Sequence, residues 1–440
     1  MSRPVPTRGA RAVLASGVCL GVAMLVAMAA DRSHMLAANF EVYRVAAEAA
    51  IAGEDVYAVA PERFPDFYYL YPPITLVPFL PFAVVGLWPG FVVHTAIEVG
   101  LGLTFAGLLV RRIERHRPLA RLDRLLIAAF VVGSIHTVPS LVYGQINLRM
   151  ALLVGLGLYL LEAATGDVAD ANPSGGSADR TETLAGVALG GAALLKVFPA
   201  AIGLWLLRLR AWRGIAGAIG TGLGGLALGA LLFGRDRTRA FFLEALLPRR
   251  DGEAFAGGLD PMATYVTIRR PLSQVPAIDP ALLSVLAALV LAIPLGYVYT
   301  RVETLTDRLV AAHATLIAVF VYFPSYPLYY VLLFGTLVPA LYLVADRVAR
   351  RLLVAGALLA NVVLMGPTLA SLSAALPAAI GEPVFAVGIA LLSVATPVLA
   401  GSLVMLAGCV VHRYRRDRTP AAVATGEDRE PPTASETAEP

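Results

Sequence analysis

Lysine is nearly missing from this chain. Of the 35 Lys and Arg residues in 440, only Lys196 is a lysine. Cysteine is also scarce. Cys19 and Cys409 each lie inside an apolar block and could not staple a secreted domain. Charged residues are 15 %, where about 25 % is usual for a soluble protein. That deficit excludes a soluble enzyme and a disordered chain. A net charge of only +4, with arginine confined to short runs between apolar blocks, gives no reason to expect a nucleic-acid partner.

What fills the sequence is apolar: 58 % hydrophobic residues and a mean hydropathy of +0.73. The apolar blocks have the length of bilayer-spanning helices. The sequence therefore predicts an all-α polytopic membrane protein, a single integral membrane domain over 1–418. Arg3, Arg8 and Arg11 precede an apolar run at 12–30, which reads as an uncleaved signal-anchor starting in the cytoplasm.

Arginine placement orients the rest. Connectors 111–124, 208–213, 346–351 and 412–418 carry six, three, three and four arginines and belong on the cytoplasmic side. One place resists. If 184–207 crossed once, Arg208, Arg210 and Arg213 would emerge outside. A hairpin broken at Lys196-Val197-Phe198-Pro199 removes the conflict, because Pro199 disfavours helix before it. Residues 74–87, with Pro78 and Pro81, are too short and too interrupted to cross, and predict a re-entrant or interfacial segment. The count is about twelve transmembrane helices, both termini cytoplasmic. Segment 166–183 reads as a flexible cytoplasmic loop and 419–440 as a disordered cytoplasmic tail.

Two outer segments are long enough for chemistry. Loop 31–73 has seven acids and three arginines; loop 235–280 has seven arginines and six acids. In the first loop, residues 40–52 predict a helix with Asn39 as N-cap and Gly53 as its stop. Glu41 falls in its first turn, and Asp66 precedes an aromatic run. The next outer turn is Tyr143-Gly144-Gln145-Ile146-Asn147. A lysine in an apolar helix costs roughly 2.5–3.5 kcal/mol. It stays charged only beside an anion, and either a ligand phosphate or an acid such as Glu41 or Asp66 would serve. His94 and Glu98, one helical turn apart, read as a hydrogen-bonded pair. No His/Cys/Asp cluster has metal-ligand spacing, so no metal site and no cofactor is expected; a divalent ion at an outer-loop acid is left open.

The ordered set NFEVYRVAAEAAIAGEDVY, YLYPPIT, YGQIN and LAGVALGGAALLKVFPA…LRLRAW, over roughly 39–213, resembles glycosyltransferase family 87. The resemblance implies a GT-C-type fold, with the module at approximately 12–234 and C-terminal helices at 281–411. It implies a hexosyltransferase of the plasma membrane with an extracytoplasmic active site. The partners would be a polyprenyl-phosphate sugar donor, typically mannose, a lipid or glycan acceptor, and membrane lipids. Lys196 with Arg249, Arg250, Arg269 and Arg270 would hold the donor phosphate. Tyr43, Tyr71, Gln145 and Asn147 would bind sugar or acceptor. The family's first-loop aspartate, the general base, is Asn39 here, so Glu41 or Asp66 would have to serve. The Trp-x-His element before a late crossing is replaced by Phe323-Pro324-Ser325-Tyr326-Pro327-Leu328-Tyr329-Tyr330, with no histidine. A non-catalytic relative binding lipid-linked sugar, or a secondary transporter for a lipid or anion, are the alternatives.

Overall fold

The computed structural model describes residues 7–165, 175–247 and 253–418. Among these the chain is helical, and its one extended pairing is the bridge between Val266 and Ser325. The outcome for the class is plain: this is an all-α polytopic membrane protein. Seven described helices are long and apolar enough to cross a membrane by themselves.

Side-chain and backbone registers show how the chain runs. Helix α1 (Arg8–Asp31) leads to α2 (Ala38–Ala52) and a 3₁₀ segment (Pro73–Val84), then α3 (Leu87–Glu114) returns. Next, α4 (Arg121–Gly133) and α5 (Val138–Tyr143) together make one broken pass beside α1. Arg11 grips Asp123 at 2.8 Å at one end, the Ile135 amide reaches the Gly17 carbonyl midway, and the Ala37 amide reaches Val142 at the other. The first-loop end and the arginine-rich end are thereby fixed. Helix α6 (Asn147–Ala164) descends alongside α3, with Arg149 on Glu98 and Arg112 on Glu162.

Helix α7 (Gly175–Leu195) climbs to Lys196. A 3₁₀ turn (Phe198–Ile202) and α8 (Gly203–Leu209) come straight back, and α9 (Trp212–Phe233) climbs again. The return is shown by Arg213, which pairs with Asp179 at 2.5 Å, and by Glu182, which accepts the Arg213 and Gly214 amides at 2.9 and 3.1 Å. The broken hairpin expected from the arginines is therefore present. The same contacts correct the loop expected at 166–183. Its residues 175–183 are the first turns of α7, held helical because Asp179 and Glu182 cap and pair with the start of α9. The remainder of that loop, 166–174, and the tail at 419–440 lie outside the described residues.

Beyond α9, at the first-loop end, come α10 (Arg235–Ala240), a π turn (Phe241–Leu246) and α11 (Arg269–Ser273). Helix α12 (Leu283–Tyr299) descends and α13 (Leu305–Tyr322) ascends through the middle of the bundle, buried almost throughout. A 3₁₀ segment (Pro327–Leu333) and α14 (Phe334–Leu343) descend to Asp123, which accepts from the Tyr342 hydroxyl. Helix α15 (Arg347–Ala360) rises and α18 (Pro397–Arg418) falls beside it. Between them α16 (Gly366–Ala374) and α17 (Ala378–Val394) form a hairpin at the first-loop end, tied by Arg270 to the Leu392 carbonyl. The passes are α1, α3, α4–α5, α6, α7, the 198–209 return, α9, α12, α13, the 327–343 descent, α15 and α18. That makes about twelve, with both described ends of the chain at the arginine-rich end. Several are short or broken by proline, so length and composition alone identify only seven.

The 73–84 segment does not cross. Pro78 and Pro81 lack the N–H donors an α-helix needs, and the segment folds as 3₁₀ against α2 and the top of α9. Helices α7 and α9 run parallel and nearly touch along Gly186, Gly190, Gly214 and Gly217, the small-residue packing that membrane helices use.

A Cβ at Gly186 would collide with the Gly214 carbonyl oxygen, whereas a Cβ at Gly220 meets nothing within 4 Å. Gly186→Val should therefore cost about 1–3 kcal/mol or more through overpacking. Gly220→Ala should be neutral or slightly stabilising. Thermal unfolding of the purified protein in detergent would show a lowered midpoint for the first variant only.

Candidate active site

The first-loop end gathers one polar cluster around Lys196. Lys196 is 6 % exposed, and its ammonium group donates to Asn147 Oδ1 at 2.9 Å and Gln145 Oε1 at 3.3 Å. It also sits 3.7 Å from the centre of the Tyr329 ring. Each contact offsets part of the cost of taking a cation out of water. A desolvated cation–π contact contributes about 2 kcal/mol, and a hydrogen bond from a charged donor about 1.5–3 kcal/mol. The position helps too: Lys196 follows the C-terminal residue of α7, and its amide still bonds the Ala192 carbonyl. The negative end of a helix dipole favours a cation there.

The two amides are placed by a turn that only glycine suits. Gly144 has φ +73, and a side chain there would run into Phe40. The Gly144 carbonyl accepts from His94 Nε2 at 3.1 Å, and Asn147 Nδ2 donates to Ser140 Oγ at 2.6 Å. Glu98 accepts the Arg149 amide, an unpaired donor of the first turn of α6, and also the Arg149 guanidinium at 2.7 Å. The expected His94–Glu98 pair is therefore replaced. Both residues instead reach across from α3, one helical turn apart, and clamp the 144–149 turn.

Aromatic side chains from the first loop cover the cluster. Tyr43 of α2 donates to Gln145 Oε1 at 3.5 Å and lies 3.4 Å from the Tyr71 hydroxyl. Tyr57 donates to the Tyr71 carbonyl at 2.8 Å. Burial pushes the phenols of Tyr43, Tyr57 and Tyr69 upward, so all three stay protonated donors near neutral pH.

The structure thus unites Lys196, Gln145, Asn147, Tyr43 and Tyr71. It separates others. Glu41 sits two residues from Tyr43, on the opposite side of α2, and pairs with Arg63 at 2.9 Å. Arg63 in turn holds the His34 and Leu36 carbonyls. Asp66 is exposed. Asn39 is not the N-cap of α2. Ala37 is, in a left-handed conformation, and Asn39 lies in the first turn, half-buried, one turn before Tyr43 and on the same face.

The arginines divide likewise. Arg270 is fully buried and donates to the Leu392, Ala263, Tyr265 and Asp260 carbonyls. Its two Nη groups are spent on these carbonyls and draw the 260–270 loop onto α17, while its buried Nε, like that of Arg269, has no acceptor among the described residues. Arg269 lies between Phe255 and Tyr322 at 5.8 and 5.2 Å, and its buried Nε has no acceptor among the described residues. Arg249 and Arg250 lie outside the described residues. Among the described residues no group of three or more His, Cys, Asp or Glu could hold a metal ion.

Tyr329, in the stretch that replaces the Trp-x-His element, carries no expected site role in the sequence, yet it joins the cluster. Its ring stacks at 5.5 Å on Phe198, just past the helix break, so one contact chain joins the Lys196 turn to the 327–333 descent. A dense Tyr-Pro run, Tyr326-Pro327-Leu328-Tyr329-Tyr330, was the available signal.

Neither a curated protein nor a solved structure matches the chain. A family model does, from Tyr69 to Pro324. The matched stretch carries Tyr71, the 144–149 turn, the Lys196 hairpin and the buried α13. It leaves out α2 with Asn39, Glu41 and Tyr43. It spans more than half of the 440 residues, and on that match, with the membrane-spanning helices and the ordered polar cluster, the chain belongs to glycosyltransferase family 87.

Proposed function

We propose that this membrane glycosyltransferase moves a hexose, mannose in the first instance, from a polyprenyl-phosphate sugar to a lipid or glycan acceptor. The site would face the extracytoplasmic side of the plasma membrane, with both termini cytoplasmic. The observation that carries the reading is the buried ammonium group of Lys196, ringed by amide and phenol groups at the first-loop end.

In this reading the bond from the sugar's anomeric carbon to the donor phosphate breaks while the acceptor hydroxyl attacks. Negative charge grows on the leaving phosphate, and Lys196 stabilises it without having to reorganise. Arg269, with an uncommitted Nε, is the second cation. Tyr43, Tyr71, Gln145 and Asn147 orient sugar hydroxyls. Asn39, on the Tyr43 face of α2, adds an amide but takes no proton. The proton goes to a first-loop carboxylate: Glu41 once Arg63 lets go, or Asp66 by movement of the 61–67 turn. No step calls for a cofactor. Arg249 and Arg250 remain candidates for the phosphate by sequence alone.

A second reading has its own support. Asn39 occupies the face of α2 turned to the cluster, and both carboxylates sit away from it. A relative that holds lipid-linked sugar without transferring it would look this way.

The deciding assay incubates purified protein with radiolabelled polyprenyl-phosphate mannose or glucose and cell-envelope lipids. Lys196→Ala should lower transfer by roughly 10²–10³-fold, the loss typical of a group stabilising transition-state charge. Unchanged transfer would remove Lys196 from the reaction.

The base is read from a second pair of variants. Of Glu41→Gln and Asp66→Asn, the one that removes it should lose roughly 10²–10⁴-fold while the other stays near wild type. If the wild type is silent and Asn39→Asp gains transfer, the non-catalytic reading holds.

A further inference from the structure

The opposite, arginine-rich end holds a cationic patch that the transferase site does not use. Arg117, from the connector between α3 and α4, donates Nη1 to the Tyr342 carbonyl at 3.1 Å. Arg350 of α15 donates Nη1 to the Val344 and Ala345 carbonyls at 3.2 and 3.4 Å. Two guanidinium groups from different elements thus converge on carbonyls at the end of α14 and just beyond it. Arg347 and Arg351 stand exposed beside them. Arg347, Arg351 and Arg117 all act on Arg350 as like charges, and Asp346 acts on it as the one opposite charge.

The α15 side of this arrangement is unfavourable as it stands. Arg347, Arg350 and Arg351 occupy the opening turns of α15, whose first turn holds no acid. The positive end of a helix dipole disfavours cations there and favours an anion. The nearby acids are already engaged. Asp346 caps α15 through the Ala349 amide at 2.7 Å and lies 3.6 Å from Arg415. Asp123 is held by Arg11 from two sides and by the Tyr342 hydroxyl. Among the described residues, Arg347, Arg350 and Arg351 make no ion pair.

We propose that this patch binds the phosphodiester headgroup of an anionic membrane lipid. The depth fits. The patch lies where α14 ends and α15 begins, at the termini of two membrane passes, which is where headgroup phosphates lie. The chemistry fits as well: planar guanidinium forks pair with phosphate oxygens in a bidentate way, and the first-turn amides of α15 add donors. The site is separate from the Lys196 cluster and does not rest on the proposed reaction.

Native mass spectrometry of the full-length protein in detergent tests it. The protein is titrated with phosphatidylglycerol, with phosphatidylcholine of the same chains, and with inorganic phosphate. A phosphatidylglycerol adduct should survive activation that strips phosphatidylcholine. Arg347→Gln/Arg351→Gln removes two exposed side chains that hold no backbone carbonyl, so folding is spared. It should weaken the adduct on the order of tenfold or more, each basic residue near a membrane surface contributing about 1 kcal/mol. The lysine pair Arg347→Lys/Arg351→Lys should weaken it less than the glutamine pair, keeping the charge but not the fork, and Arg235→Gln/Arg239→Gln at the other end should leave it unchanged. Equal retention of the two lipids, an unaffected glutamine pair, or displacement of the lipid by inorganic phosphate at matched concentration would each overturn the proposal.

Discussion

One ammonium group in an apolar bundle constrains most of what surrounds it. Taking an ion out of water costs several kcal/mol even after relaxation. No single contact answers that cost. Lys196 meets it with a helix C-terminus, two side-chain amides and a tyrosine ring, and these come from three different parts of the chain. The tips of α7 and α6, the 144–149 turn and the 327–333 descent must therefore meet at one point. Misplacing any of them would leave a buried cation with fewer ligands, so charge burial ties the site to the fold.

The rest of the bundle reads as the means of holding that meeting point. Glycine contacts let α7 and α9, the two helices on either side of the Lys196 return, run almost in touch. From α3, His94 and Glu98 fix the turn carrying Gln145 and Asn147. Arg270 closes the 260–270 loop onto α17, and the bridge at Val266–Ser325 brings that loop to the top of α13, beside Phe323. Phe323 is 6.1 Å from Phe198, which in turn stacks on Tyr329. The aromatic lid and the loop are thus supported by the same central helix.

How much of this was legible in the sequence depends on range. The hairpin at Lys196 was, because arginine sidedness is a global constraint that one misplaced crossing violates. The non-crossing 73–84 segment was, because proline removes donors locally. Side-chain direction on α2 was not. Asn39, Glu41 and Tyr43 look equivalent in a linear motif, yet 100° per residue places Glu41 behind the helix, where Arg63, a residue 22 positions later, takes it. Arg270 and Arg269 are adjacent in sequence and opposite in use, since only packing against α17 decides which one is consumed by carbonyls. The polar start of α7 was read as loop because its helix-making partners, Arg213 and the Gly214 amide, lie about thirty residues away.

The contrast between the single lysine and the many arginines then acquires a physical reason. Where this chain buries a guanidinium, the group spreads over several acceptors in fixed directions: Arg270 over backbone carbonyls, Arg112 over Glu162 and the Gly335 carbonyl. Such a fork is a fastener, and its charge is consumed by what it fastens. An ammonium group is compact, carries three rotatable donors and accepts a ring face as a ligand. Two amides and a tyrosine can seat it without neutralising it. The chain uses arginine where charge must hold elements together, and keeps its one lysine for a compact seat of amides and an aromatic ring at the first-loop end.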